Sequence, residues 1–205
     1  MTASPSTVSS VDRSEFRFIL AAGTKIGFTI GLAVVLFLLV SRVVPGGFFR
    51  GLLQTGVVLA AAGAAAFLPA QWAVSRTTQG IASAAAIGLW GTVVFMAFDI
   101  ILLRPFTAYP WTWDAVGGGS TWWYLPIWWM LGTFVAWLGG LVTAARVRRG
   151  GDPEIRGLAL PALLGGLGFA VGLGLGGVML APVAAGLGFT VTLIVFALVA
   201  TLRRG

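Results

Sequence analysis

The chain has 205 residues, of which 58% are hydrophobic and only 9% are charged, and its mean hydropathy is +0.97. Soluble domains carry about 25% charged residues because their surface faces water, and disordered chains are polar and charge-rich, so this composition excludes both classes and predicts a protein that faces lipid. The net charge of +7 comes from basic residues at the ends of apolar runs, which favours contact with membrane lipids and argues against nucleic acid as a partner.

Two residue types that carry much of protein chemistry are missing, because the sequence contains neither cysteine nor histidine. Disulfide bonds, thiolate nucleophiles, Cys/His zinc sites, histidine-bound haem and histidine proton relays are therefore excluded. The sequence also holds no catalytic triad, no paired carboxylates and no phosphate-binding glycine loop. We predict no catalytic residue, no metal site and no cofactor of its own, and we expect the protein not to be an enzyme.

The first predicted region is a flexible tail over residues 1–25, rich in serine and threonine at its start. Within it, residues 14–22 can form a short helix whose apolar side lies opposite Arg13 and Arg17, so this piece is predicted to lie in the membrane interface. A signal peptide is disfavoured, because the apolar run that follows is long and does not end in a small-x-small cleavage site.

Residues 26–205 are predicted to form one transmembrane domain. A helix needs about 20 predominantly apolar residues to cross a bilayer, and six segments meet this criterion. The predicted fold is therefore all-α: a polytopic integral membrane protein with a six-helix transmembrane bundle. The predicted spans are 26–44, 51–73, 81–103, 122–145, 158–179 and 182–202.

Basic residues are distributed unequally between the two sides of this topology. With a cytoplasmic N-terminus, ten lysine and arginine residues lie on the cytoplasmic side and three on the outer side, as the positive-inside rule requires. Both termini are therefore predicted to be cytoplasmic, and we expect the chain in a bacterial cytoplasmic (inner) membrane. The outer basic residues are Arg42, Arg50 and Arg104.

Small residues recur at four-residue spacing on two spans, which places them on one helix face. Such faces let two helix backbones approach closely, and this close packing replaces the hydrophobic drive that lipid removes. They can pack inside this chain or against a partner subunit or a second copy. The predicted helix-packing residues are Gly165, Gly168, Gly172 and Gly176 in the fifth span and Gly56, Ala60 and Ala64 in the second.

Asp99 is the only acidic residue inside a predicted span, about one turn from its outer end. A carboxylate at a helix centre costs about 2.5–3.5 kcal/mol on insertion scales, so such a residue is a functional candidate. We predict a polar cluster around it, which either joins the second and third spans or forms a cation or proton site near the outer mouth. Its other predicted members are Gln54, Thr55, Arg50 and Arg104.

Aromatic residues concentrate around the third outer loop and the start of the fourth span. Amphipathic rings collect at membrane–water interfaces, so an aromatic belt explains most of this segment. The alternative is a surface that docks a partner protein, a lipid or an apolar cofactor such as a pigment or quinone. The residues of this predicted aromatic cluster are Tyr109, Trp111, Trp113, Trp122, Trp123, Tyr124, Trp128 and Trp129.

Three functional classes remain open on this evidence. The missing reactive groups, the small-residue faces and the aromatic cluster favour a non-catalytic accessory or scaffold subunit of a larger membrane complex, with lipids and other subunits or itself as partners. The alternative is a small ion or solute channel or transporter with Asp99 near its outer mouth. A membrane enzyme is the third class, and it would depend on Asp99 with tyrosine or arginine.

Overall fold

A computed structural model describes residues 14–103, 105, 124–150 and 154–202 of the chain. Within these ranges the protein is helical and contains no strand, and six helices are long and apolar enough to cross a membrane. The prediction of an all-helical chain with six candidate spans is thus confirmed, and it indicates an integral membrane protein. The helices are α1 (Phe16–Val43), α2 (Phe48–Trp72), α3 (Thr78–Phe98, continued by a π-helical turn Asp99–Leu103), α4 (Tyr124–Arg148), α5 (Ile155–Leu175) and α6 (Ala181–Leu202).

The first helix differs from the predicted boundary. α1 runs without interruption through the segment 14–22 that was expected to form a separate interfacial helix, and only Ser14 and Glu15 precede it among the described residues. At about 1.5 Å per residue its 28 residues measure about 42 Å, which exceeds the hydrocarbon thickness of about 30 Å. From the sequence, the first span was predicted to begin after Lys25, because this charged residue interrupts the apolar run.

The bundle is built around α2, which contacts each of the other five helices. α1 and α3 begin at the same end, where the side-chain amide of Gln79 donates a 2.7 Å hydrogen bond to the hydroxyl of Ser14. We call this end the N-terminal end of the bundle. The turn between α2 and α3 lies there too, since the hydroxyl of Ser75 donates to the carbonyl of Gly80. Arg146, at the end of α4, donates to the carbonyl of Gly157 in the first turn of α5.

Two apolar clusters form the core. The larger joins α2, α4, α5 and α6 with one residue of α3, and its largest fully buried side chains are Phe67, Phe189 and Leu193. The smaller joins α1, α2 and α3 around Ile26 and Ile87, and its other members are alanines. Alanine-rich contacts bring helix backbones close together, so this core depends on close packing more than on large side chains.

Candidate functional site

Asp99 is the first residue of the π-helical turn that ends α3. The residue is buried and takes part in a polar or electrostatic interaction. The preceding ring of Phe98 packs edge-on against Phe28, with 6.4 Å between ring centroids, and lies against Gly31. Gly31 belongs to α1, so the end of α3 packs beside α1, and Asp99 is one turn from the last residue of the π-helical turn. π-helical turns are rare and occur frequently at functional sites, so Asp99 remains a functional candidate.

Two residues predicted around Asp99 bind the end of α1. The side-chain amide of Gln54 donates a 2.7 Å hydrogen bond to the hydroxyl of Ser41, and the guanidinium of Arg50 donates to the Ser41 carbonyl at 3.4 Å. Thr55 is buried, and its hydroxyl oxygen has no hydrogen-bond partner among the described residues. Arg104 lies outside them. The described polar contacts of Gln54 and Arg50 therefore join α1 to α2.

Most of the predicted aromatic cluster falls outside the described residues. Tyr124 is the first residue of α4, Trp128 is half-buried one turn later, and Trp129 is exposed. The members of the cluster that lie outside the described residues are Tyr109, Trp111, Trp113, Trp122 and Trp123.

The described part of α4 continues the aromatic surface deeper along the bundle. Trp129, Phe134 and Trp137 are all exposed, and the rings of Phe134 and Trp137 lie 6.0 Å apart. Together with Leu89 of α3 they line an open groove of about 370 Å³ whose remaining walls are Met130 and Thr133. The groove is apolar, so it suits an acyl or isoprenoid chain better than a polar solute. The sequence did not predict this groove, because it depends on the packing of α4 beside α3.

The predicted glycine stripe of α5 is only partly used inside the bundle. Gly165 packs closely against Thr192 of α6, so a side chain there would clash. Gly168 and Gly172 are exposed, and a β-carbon added at either would meet no atom within 4 Å. A β-carbon at Gly176 would meet only atoms of its own helix end.

The predicted small-residue face of α2 is similarly open. A β-carbon at Gly56 would meet no atom within 4 Å, and Ala60 is exposed. Ala64, one turn further, is half-buried. The four-residue spacing in these two helices therefore marks surfaces that this chain leaves mostly unfilled.

The closest helix approach in the α1–α3 pair uses a stripe that was not predicted. Gly23, Gly27 and Gly31 are spaced by four on α1 and lie against α3. A β-carbon at Gly23 would come within 2.8 Å of the Trp90 ring, and one at Gly27 within 2.6 Å of the Val94 side chain. The stripe was detectable from its spacing, but only Gly27 and Gly31 lay in the predicted first span, whereas Gly23 fell in the predicted tail over residues 1–25.

A second cavity, of about 320 Å³, lies at the N-terminal end between the α2–α3 turn and the facing ends of α4 and α5. Its polar lining includes Gln71, Ser75, Arg76, Thr143 and Glu154. Oppositely charged groups and neutral polar groups share this wall, so its composition does not select one ligand charge.

Comparison with known proteins does not supply a function. No family model, no curated protein and no solved structure matches the chain.

Proposed function

We propose that the protein is a non-catalytic accessory or scaffold subunit of a larger membrane protein complex. The observation that supports this most directly is the open glycine face of α5, where Gly168 and Gly172 are exposed and no described atom fills the space beside them. Gly56 and Ala60 give α2 a comparable open face. Another helix could approach either face as closely as helices approach each other inside this bundle.

The physical argument rests on what drives helices together in lipid. Lipid tails are as apolar as leucine, so helices associate through close van der Waals contact and small residues at the contact allow it. Inside the bundle, glycines of α1, α3 and α4 are used in this way: Gly27 meets Val94, and Gly88 meets Ala136. An exposed glycine pair at the same spacing offers that type of contact to a helix outside the chain.

The proposed setting is a bacterial cytoplasmic membrane with the N-terminal end of the bundle in the cytoplasm. The support is the distribution of basic residues, which lie mainly at that end of the helices. Arg17 near the start of α1, Arg76 in the α2–α3 turn and Arg146 at the end of α4 are examples. Tagging each loop with a reporter that is active on only one side of the membrane tests this orientation.

The test of the subunit proposal starts with extraction of the tagged chain from its native membrane in mild detergent, followed by mass spectrometry. The wild type is expected to copurify with stoichiometric partner subunits. Replacing Gly168 and Gly172 together by leucine fills the open face and is expected to lower partner recovery about tenfold or more. Ala82, an exposed residue of α3, provides the matched control, because Ala82→Leu adds a similar side chain on another surface.

The outcomes separate three possibilities. Partner loss in the double leucine variant, with full recovery in Ala82→Leu, supports docking on α5. Partner recovery in both variants places the contact elsewhere and leaves the subunit proposal standing. A wild-type chain that is monodisperse and partner-free overturns the proposal, whereas a homo-oligomer identifies a second copy as the partner.

A small channel or transporter is the second candidate, and the π-helical turn favours it. Asp99 is the only acidic residue within the six helices, and it is buried at the point where the helix changes its hydrogen-bond pattern. A carboxylate in such a place is a typical component of a cation or proton pathway. This function requires that the Asp99 carboxylate bind a cation or a proton and exchange it with water.

Reconstitution into liposomes tests transport. Cation or proton flux in the wild type that Asp99→Asn abolishes would favour transport over the scaffold function. Equal flux in both proteins would exclude Asp99 from the pathway, and absence of flux in the wild type would count against transport. Glu15 is a suitable control, because Glu15→Gln removes an exposed carboxylate that precedes α1.

The groove on α3 and α4 adds a lipid contact to the scaffold proposal. Its exposed rings at Trp129, Phe134 and Trp137 could hold an acyl chain, an isoprenoid quinone or a pigment. An absorbance spectrum and lipid analysis of the purified complex identify such a molecule. Trp137→Ala is expected to lower its recovery, since the substitution removes one wall of the groove.

A further inference from the structure

Lys25 lies on the side of α1 that faces away from the bundle. Successive residues of an α-helix are about 100° apart, so Lys25 is about 200° from both Gly23 and Gly27, which face α3. The Lys25 side chain is accordingly exposed. Among the described residues no carboxylate pairs with it.

The depth of Lys25 follows from its neighbour. The indole N–H of Trp90 donates a 3.1 Å hydrogen bond to the hydroxyl of Thr24, and Trp90 stands at the middle of the candidate span Thr78–Leu103. Lys25 is therefore level with the middle of that span. About 12 residues separate this level from either end of the span, a distance of about 18 Å.

A lone ammonium at this depth is costly. A lysine near the centre of a membrane helix costs about 2.5–3.5 kcal/mol on insertion scales, and more by other estimates. The flexible stem lets lysine reach towards the headgroups, but a four-carbon stem covers only part of the distance of about 18 Å to either end of the span. A nearby anion would remove most of the cost.

We infer that this face of α1 docks a membrane-spanning helix of a partner subunit, and that the helix carries an aspartate or glutamate opposite Lys25. The inference rests on the proposed subunit function and names the chemistry of one partner. Charge complementarity selects the carboxylate, because the bilayer interior offers no other anion at that level. Around Lys25 the face has small residues, Ala21 and Thr29, beside larger apolar ones, Phe28 and Leu32, and all four are exposed.

Among the described residues, a second copy of this chain offers no accessible carboxylate at this level. Asp99 is the only acidic residue within the six helices, and it is buried in its own bundle. Glu15 and Glu154 precede α1 and α5 and so lie outside the helices. On these described residues, the inferred partner is a different chain.

The experiment first identifies the facing segment. A photoreactive amino acid at Leu32, on the Lys25 face, is activated in native membranes, and the crosslinked peptide is sequenced. The same residue at Leu198 in α6, also exposed, reports contacts of an unrelated surface. The crosslinker at Leu32 is expected to capture a membrane-spanning segment that contains aspartate or glutamate. The crosslinker at Leu198 is not expected to capture this segment.

The second step tests the ion pair. Lys25→Leu is expected to lower partner recovery about tenfold, because it leaves the partner's carboxylate unpaired at the contact. Lys25→Arg is expected to retain the partner, and Arg17→Leu, which removes a basic residue nearer the helix end, serves as the matched control. Lys25→Glu is expected to lose the partner and to regain it when the partner's carboxylate residue is changed to lysine.

The results distinguish this inference from the subunit function itself. Unchanged recovery of a partner by Lys25→Leu overturns the ion pair and indicates that Lys25 reaches lipid phosphate, while the subunit function stands. A crosslinked segment without an acidic residue also overturns it. Absence of any partner from the wild type overturns both the ion pair and the subunit function.

The folding of the variant is checked separately. Because leucine is favourable in lipid, the Lys25→Leu chain should insert and retain its helical content, which circular dichroism verifies.

Discussion

The indole N–H of Trp90 in α3 donates a 3.1 Å hydrogen bond to the hydroxyl of Thr24 in α1, directly beside the point where Gly23 lies against the same indole ring. The glycine leaves room for the large ring beside α1, and the threonine hydroxyl accepts the hydrogen bond of the N–H at the ring's polar edge. In lipid this polar edge has no water to bind, so the hydrogen bond and the close packing depend on each other. The hydrogen bond and the close packing therefore join α1 to α3 at this point.

The first prediction concerns the glycine stripe of α1. Gly27→Leu is expected to destabilise the protein by about 3 kcal/mol, because the new side chain overlaps Val94 and the backbone of Gly91 and forces the two helices apart. Reversible unfolding in mixed micelles, followed by tryptophan fluorescence, measures the change.

Gly168→Leu is the matched control for this substitution. It makes the same change at an exposed position with open space, so the isolated chain should keep its stability to within about 0.5 kcal/mol. Equal destabilisation by both variants would mean that glycine acts through the helix backbone in general and that α1 does not pack on α3 as described.

The second prediction concerns the Trp90–Thr24 hydrogen bond. Thr24→Val keeps the shape of the side chain and removes the acceptor, and Trp90→Phe removes the donor. A double-mutant cycle of these changes is expected to give a coupling energy of about 0.5–1.5 kcal/mol, because such cycles between membrane helices average about 0.6 kcal/mol and reach about 1.7 kcal/mol. A coupling energy of zero would show that the two groups do not interact in the membrane.

The six helices were predictable because the signals that specify them are local. An apolar run of sufficient length, ended by proline, glycine or arginine, needs no knowledge of the neighbouring helices. The start of the first helix differs from the predicted one because charge and helix formation are separate properties. Lys25 interrupts the apolar run that was used to place the span, but lysine is a good helix former, and the helix runs from Phe16 to Val43.

The contacts at the candidate site were not predictable, because they depend on which helices are neighbours and at what level. Gln54 was placed with Asp99 from its position near the start of its span, but its amide binds Ser41 across the α1–α2 connection. Gly168 and Gly172 carry the same spacing as Gly23 and Gly27, although the first pair is open and the second is filled. Spacing identifies a face, but the fold decides what covers it.

The third prediction uses the hydrogen bond between Gln54 and Ser41. Gln54→Leu removes the donor at the α1–α2 connection and is expected to reduce the free energy of unfolding by about 0.5–1 kcal/mol. Gln79→Leu provides a comparison at the N-terminal end, where the bond to Ser14 is exposed and water can replace it, so its effect should be smaller. A larger loss of unfolding free energy in Gln79→Leu than in Gln54→Leu would contradict this ranking of the two hydrogen bonds.

The fourth prediction compares the ends of α2 and α5, which share one hydrogen-bond pattern but differ in one residue. The N–H of Ser75 binds the carbonyl of Ala70, just as the N–H of Val178 binds the carbonyl of Leu173. This pattern needs a left-handed residue just before the last N–H. That residue is Gly177 (φ +69°) after α5 but Val74 (φ +52°) after α2.

A β-branched side chain in this conformation costs about 1–2 kcal/mol, and glycine removes that cost although it adds flexibility to the unfolded chain. Val74→Gly is therefore expected to raise the free energy of unfolding by about 0.5–1 kcal/mol. Gly177→Val is expected to lower it by about 1–2 kcal/mol through the backbone alone, since a β-carbon there would meet no atom within 4 Å. If Val74→Gly instead destabilises the protein, the contacts of the half-buried Val74 side chain beside the N-terminal cavity outweigh its backbone strain. The strained turn would then be maintained by those contacts.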